Sequence, residues 1–127
     1  MSIAGEHEIE GENEYSDLTI NGLPKYNDYY YIIDSKRIAD KKYIQTYINL
    51  LKSGFGKPEA YAMCFNPRHV LKYESLYGEV TALICFECRS VSIKIGEWNR
   101  TEYFVKPVGS EINELYKELG LRIPLQP

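Results

Sequence analysis

Apolar and polar positions follow two periods along this chain, and the change from one to the other sets out its elements. Asp17-Leu-Thr-Ile20 reads as a short strand closed by the turn pair Asn21-Gly22. A loop over Pro24 to Asp28 leads into Tyr29-Tyr-Tyr-Ile-Ile33, a β-branched and aromatic run that suits a buried strand. Tyr43, Ile44, Tyr47, Ile48 and Leu51 then recur at helical spacing as one stripe. Asp40 is the N-cap expected before that stripe, Lys52 suits its carboxyl end, and Gly54 the C′ position. Beyond the break at Gly54-Phe-Gly-Lys-Pro58 the pattern turns to strands: Tyr61 to Phe65, Val70 to Glu74, Val80 to Phe86, Val91 to Ile95 and Thr101 to Val105. Glu97 to Arg100 reads as the last turn between them. Ser110 to Leu119 returns to helical spacing, with Ile112, Leu115, Tyr116 and Leu119 on one face and Gly120 as its stop.

Strands joined by short turns run antiparallel. The order strand, helix, run of strands, helix therefore predicts an α+β fold: an antiparallel sheet of about five strands with two helices packed on one face. At 127 residues the chain is long enough for one domain with a real core. Residues 1–16 carry Glu6, Glu8, Glu10, Glu12 and Glu14 and no Lys or Arg. They predict an acidic, mobile tail, with residues 17–127 as the single α+β domain. The net charge of -3 belongs to that tail, and the rest is close to neutral, which points neither to nucleic acid nor away from it.

No basic start with an apolar run follows Met1, and Val80 to Phe86 is too short to cross a bilayer. A cytoplasmic protein without a membrane partner is expected. Disulfides are then not its native staples.

The three cysteines and one of the two histidines concentrate in Cys64-x4-His69-x15-Cys85-x2-Cys88. Three chemistries compete for them. Three sulfurs and one nitrogen are a donor set that structural zinc accepts, but Cys85-Phe-Glu-Cys88 lacks the Gly or Pro of a zinc knuckle, and two cysteines in an extended strand point to opposite faces. A thiolate beside Arg68 and His69 would be an activated nucleophile or redox group. In the third reading the cysteines are small core residues, Arg68 holds a carboxylate such as Glu87, and His69 hydrogen-bonds to backbone.

Cys64-Phe65-Asn66-Pro67-Arg68-His69 together with Ile84-Cys85-Phe86-Glu87-Cys88 resembles a signature of small, mostly uncharacterised bacterial proteins. The resemblance covers the second half of the chain, extends to Leu119-Gly-Leu-Arg-Ile-Pro124, and implies no catalytic role. His69-Val70 stands where such proteins commonly carry His-Gly. In size and build the chain also resembles the immunity proteins of bacterial toxin systems, which block one cognate toxin. That likeness implies a small cytoplasmic inhibitor whose partner is a protein toxin.

Gly-rich phosphate loops, Gly-x-Ser-x-Gly, His-Glu-x-x-His and basic stripes interleaved with aromatics are absent from the sequence. The leading expectation is a binding protein, not an enzyme, with no cofactor and no direct nucleic-acid contact. Twelve tyrosines supply contact area at low entropic cost, so Tyr29, Tyr31 and Trp98, with Arg68 and His69, are the expected contact residues. The alternative is a zinc-binding or thiol-dependent domain or enzyme centred on Cys64, His69, Cys85 and Cys88.

Overall fold

The computed structural model describes residues 1–5, 22–58 and 66–123. Their elements are β1 (Ser2–Gly5), β2 (Tyr30–Asp34), α1 (Lys41–Gly54), β3 (His69–Ser75), β4 (Gly78–Cys85), β5 (Ser90–Ile95), β6 (Trp98–Tyr103) and α2 (Gly109–Glu118). The strands form one antiparallel sheet in the order β2-β1-β3-β4-β5-β6. The class is the expected α+β, with one strand more than anticipated among the described residues. The expected strands at Asp17–Ile20 and Tyr61–Phe65, Cys64, and the end of the chain from Pro124 lie outside the described residues.

The extra strand comes from the start of the chain. Met1-Ser-Ile-Ala-Gly5 precedes the first glutamate, and it is not a tail: Ser2, Ile3 and Ala4 are wholly buried. β1 lies between β2 and β3, with Ile3 opposite Ile32 and Ala4 opposite Tyr31 on one side and Ser2 opposite His69 on the other. Ile3 N–H donates to the Arg68 carbonyl at 3.1 Å, and Val70 N–H donates to the Met1 carbonyl at 2.9 Å. Grouping residues 1–16 by charge hid this short apolar strand; residues 6–16 lie outside the described residues.

Both helices pack on one face of the sheet. Tyr47 and Leu51 of α1 and Ile112, Leu115 and Tyr116 of α2 meet Leu71, Ala82, Ile84 and Val91, which the register places on a common face. Asp40 caps α1 as expected, its side chain accepting from Lys42 N–H at 2.9 Å. Gly54 serves close approach rather than a left-handed C′ turn. A Cβ there would lie 2.9 Å from the Phe104 ring and 3.1 Å from the Lys106 carbonyl, while the Gly54 carbonyl accepts Val105 N–H at 2.7 Å. α2 starts one residue earlier than expected and lacks a side-chain cap. It ends at Gly120, whose φ of +76° lets Leu121 N–H reach the Tyr116 carbonyl and Gly120 N–H the Lys117 carbonyl. The last hairpin turn is Gly96-Glu97, and Trp98 to Arg100 already belong to β6, because Gly96 takes the left-handed φ of +58°.

If β1 is an inner strand, Ile3→Ala leaves a cavity at the centre of the sheet and costs about 2–5 kcal/mol. Chemical denaturation of the two proteins checks it, and equal midpoints would show that β1 is dispensable.

Candidate functional site

The Cys and His cluster does not converge on one point. His69 and Ile84 are paired and share the helix face of the sheet, so Cys85, next along β4, faces the other way. Among the described residues no group of three or more His, Cys, Asp or Glu is placed to hold a metal ion. Cys85 and Cys88 are both buried, and Cys85 is a free thiol. They flank the turn between β4 and β5, where Arg89 takes a left-handed φ of +55° and Cys88 N–H donates to Cys85 Sγ at 3.0 Å.

His69 is a core residue with no exposed surface. Its Nε2 lies 2.8 Å from Asn113 Oδ1 on α2. That amide oxygen can only accept, so Nε2 carries the proton and the ring is the neutral tautomer, with Nδ1 as acceptor. Nδ1 is buried and has no hydrogen-bond partner among the described residues. The ring meets Phe86 and Tyr116 edge to face, with centroids at 5.0 and 4.8 Å. Burial pushes the His69 pKa down from 6.5 to about 4, the bond to Asn113 opposes that shift, and neighbouring positive charge including Arg68 adds to it.

Tyr116 continues this polar centre. Its hydroxyl lies 2.7 Å from the Tyr47 hydroxyl, 3.2 Å from the Met1 carbonyl and 3.4 Å from the Val70 carbonyl. The carbonyls can only accept, so Tyr116 donates to the main chain and Tyr47 donates to Tyr116. Burial raises both hydroxyl pKa values and keeps both groups neutral. These groups are oriented and dry, and they join α1, α2, β1 and β3. The site is structural in character. His69, Tyr47 and Tyr116 are all almost fully buried.

The surface tells a different story at one end of the sheet. Val80 pairs with both Tyr73 and Ile95, so the β3–β4 and β5–β6 turns close the same end. Leu76 is 100% exposed and Tyr77 85% exposed in the first turn, and Trp98 is 52% exposed at the second. Turns of this kind ordinarily take Gly, Asn, Asp or Ser. The first turn is also braced: Ser75 Oγ donates to the Gly78 carbonyl at 2.8 Å and accepts Tyr77 N–H at 3.1 Å. Just below it Glu74 is directly opposite Glu79. Val70 spends both backbone groups on Met1. By alternation Glu74 also turns its backbone away from β4, which makes Glu74 and Glu79 a non-hydrogen-bonded pair, the arrangement that brings side chains closest. Like charges so placed are destabilising by roughly 0.2–1 kcal/mol.

Of the expected contact residues, Trp98 belongs to this end. Tyr29 is exposed and Tyr31 half-buried on β2, at the opposite edge of the sheet from Trp98. His69 is inside the core. Arg68 is half-buried, forms no ion pair with the exposed Glu87, and uses its backbone to join β1 to β4 through Ile3 N–H and the Ile84 carbonyl. Leu76, Tyr77, Glu74 and Glu79 were not among the expected contacts. The signal for them was in the sequence: two large apolar residues at the centre of a tight turn.

Among the described residues no helix is long and apolar enough to cross a membrane. No protein-family model, curated protein or solved structure matches the chain.

The buried His69 sets a pH dependence. Its folded pKa lies below its unfolded one, so its contribution is fully present above pH 6.5 and is lost as pH falls toward about 4. At 1.36 kcal/mol per unit, roughly 2–3 kcal/mol disappears across that window. The measurement is denaturation of wild type and His69→Asn at pH 7.5 and pH 4.5. Wild type should lose that much more than the variant, and parallel losses would place the titration elsewhere.

Proposed function

We propose that this chain is a small protein-binding inhibitor of the immunity type, which neutralises a cognate bacterial toxin by docking the end of its sheet onto it. The observation that carries this reading is the braced turn bearing Leu76 and Tyr77, with Trp98 at the neighbouring turn. Exposed residues of this size are anchors when a partner pocket covers them and a solubility liability when none does. Ser75 holds the turn before binding, which lowers the entropy lost on docking. Glu74, Glu79 and Glu97 surround the anchors and favour a basic face on the toxin.

The test is rescue in a bacterial host. The product of an adjacent reading frame should be toxic alone and harmless with this chain. The double variant Leu76→Ser, Tyr77→Ser should fold with stability within about 0.5 kcal/mol of wild type, as exposed sites do, yet fail to rescue. Absence of a toxic neighbour, or full rescue by the variant, removes the reading.

A second reading, zinc or thiol chemistry at the cysteines, has one observation in its favour. The left-handed Arg89 gives the Cys-x-x-Cys turn the bend that extended strands lack, with Cys88 N–H donating to Cys85 Sγ across it. Metal analysis of protein purified without chelator decides it. Stoichiometric zinc, lost together with stability in Cys85→Ser, supports the site. Metal-free protein of unchanged stability excludes a structural ion.

A further inference from the structure

The inner edge of β3 is only half used. β1 reaches it at His69 and Val70, where Ser2 is the paired residue and Met1 exchanges both backbone bonds with Val70. Beyond that point the alternation of β3 turns the N–H and C=O of Lys72 and Glu74 the same way as those of Val70, away from β4. Among the described residues nothing pairs with them. Lys72 and Glu74 line a groove of about 820 Å³. Its far wall is the 35–38 segment and α1, carrying Lys36, Arg37 and Lys41 together with the apolar Ile38, Ile44 and Ile48.

We infer that this groove takes an extended acidic segment of the partner, which adds a strand, in line with β1, to the part of the β3 edge that no described residue pairs. The inference rests on the protein-binding reading above and names a second contact for it. Unpaired edge groups select an extended backbone, because only a strand supplies donors and acceptors at the matching spacing. Residues opposite Leu71 and Tyr73 point toward the helices and meet Ile44 and Ile48, so alternate positions of the segment are apolar. Lys36, Arg37 and Lys41, with Lys72 on the β3 side, outnumber Glu74 and Glu79 in the groove, so acidic flanks complete the fit. Lys36 is already held in place by its bond to the Leu119 carbonyl at 2.9 Å.

The probe is a synthetic blocked peptide, Asp-Val-Thr-Val-Thr-Val-Asp, added to the full chain, with hydrogen exchange read residue by residue. At saturating peptide the amides of Lys72 and Glu74 should exchange about tenfold more slowly or better, as mass action requires of groups covered in the bound state, while those of Leu71 and Tyr73 change little. A Lys-flanked version should protect them less. Lys72→Pro deletes an outward donor without removing a β3–β4 ladder bond, a kind of strand position where proline is tolerated, and should abolish the protection at Glu74. Should that variant not fold, the wild-type exchange data alone decide. Unchanged amides at Lys72 and Glu74, equal protection by the Lys-flanked peptide, or protection that instead grows with protein concentration alone would each overturn the inference. The peptide needs neither a toxin nor the Leu76-Tyr77 turn, so a failed rescue experiment and a failed groove remain distinguishable.

Discussion

One end of the sheet and the chain after α2 are tied together by β1, four residues near the start of the chain. Among the described residues β1 is the only strand paired with β2, and the small cluster of Ala4, Leu23, Tyr31 and Ile33 sits on that pair, while residues 24–26 also bond β2 through the Lys25–Tyr31 bridge and Ile32 N–H donating to the Pro24 carbonyl at 2.7 Å. β1 also ties down the chain after α2. Ser2 Oγ donates to the Arg122 carbonyl, and Asp34 at the end of β2 accepts Arg122 N–H at 2.8 Å. A strand this short offers few ladder bonds, so its hold depends on full burial, which removes competing water from every bond it makes.

The buried polar chain explains how the two helices find one register on the sheet. Apolar side chains alone define a helix face, not a rotation or a sliding position on it. The bond from His69 to Asn113 fixes α2 against β3. The Tyr47 and Tyr116 hydroxyls fix α1 against α2, and both against the Met1 carbonyl. Each bond is worth little net, but misplacing the helix strands several buried donors at once, at about 1–3 kcal/mol each. The His69 Nδ1 lone pair is the cost this arrangement leaves unpaid by any described residue, and it is tolerable because an unpaired neutral acceptor costs far less than a buried charge.

Periodicity made the helices and the β3 to β6 meander legible, since both depend on local patterning with short connections. β1 was not legible. Three buried residues are too short a run for a periodic signal, and their partners are Tyr30 to Asp34 and His69, far along the chain. His69 was singled out for chemistry because histidine and cysteine are rare and reactive. The register puts His69 and Cys85 on opposite faces, a fact carried by the pairing of β3 with β4 and not by their spacing. The hairpin tip was readable in principle: Leu76-Tyr77 violates turn chemistry, and such local violations concentrate where function opposes folding.

That last opposition runs through the whole end of the sheet. Glu74 facing Glu79 works against the ladder that holds them, and replacing either by a neutral residue would relieve it. Leu76 and Tyr77 gain nothing from folding, because they remain in water. Among the described residues nothing pairs the outward backbone groups of Lys72 and Glu74 beside the groove, where an inner strand would have closed them. Each departure alone is small and has a structural explanation. All lie within eight consecutive residues, Lys72 to Glu79, and Ser75 spends its hydroxyl keeping that segment in shape. A segment that is unfavourable in charge, in solvation and in backbone pairing, yet rigid, is better matched to a surface outside the chain than to anything within it.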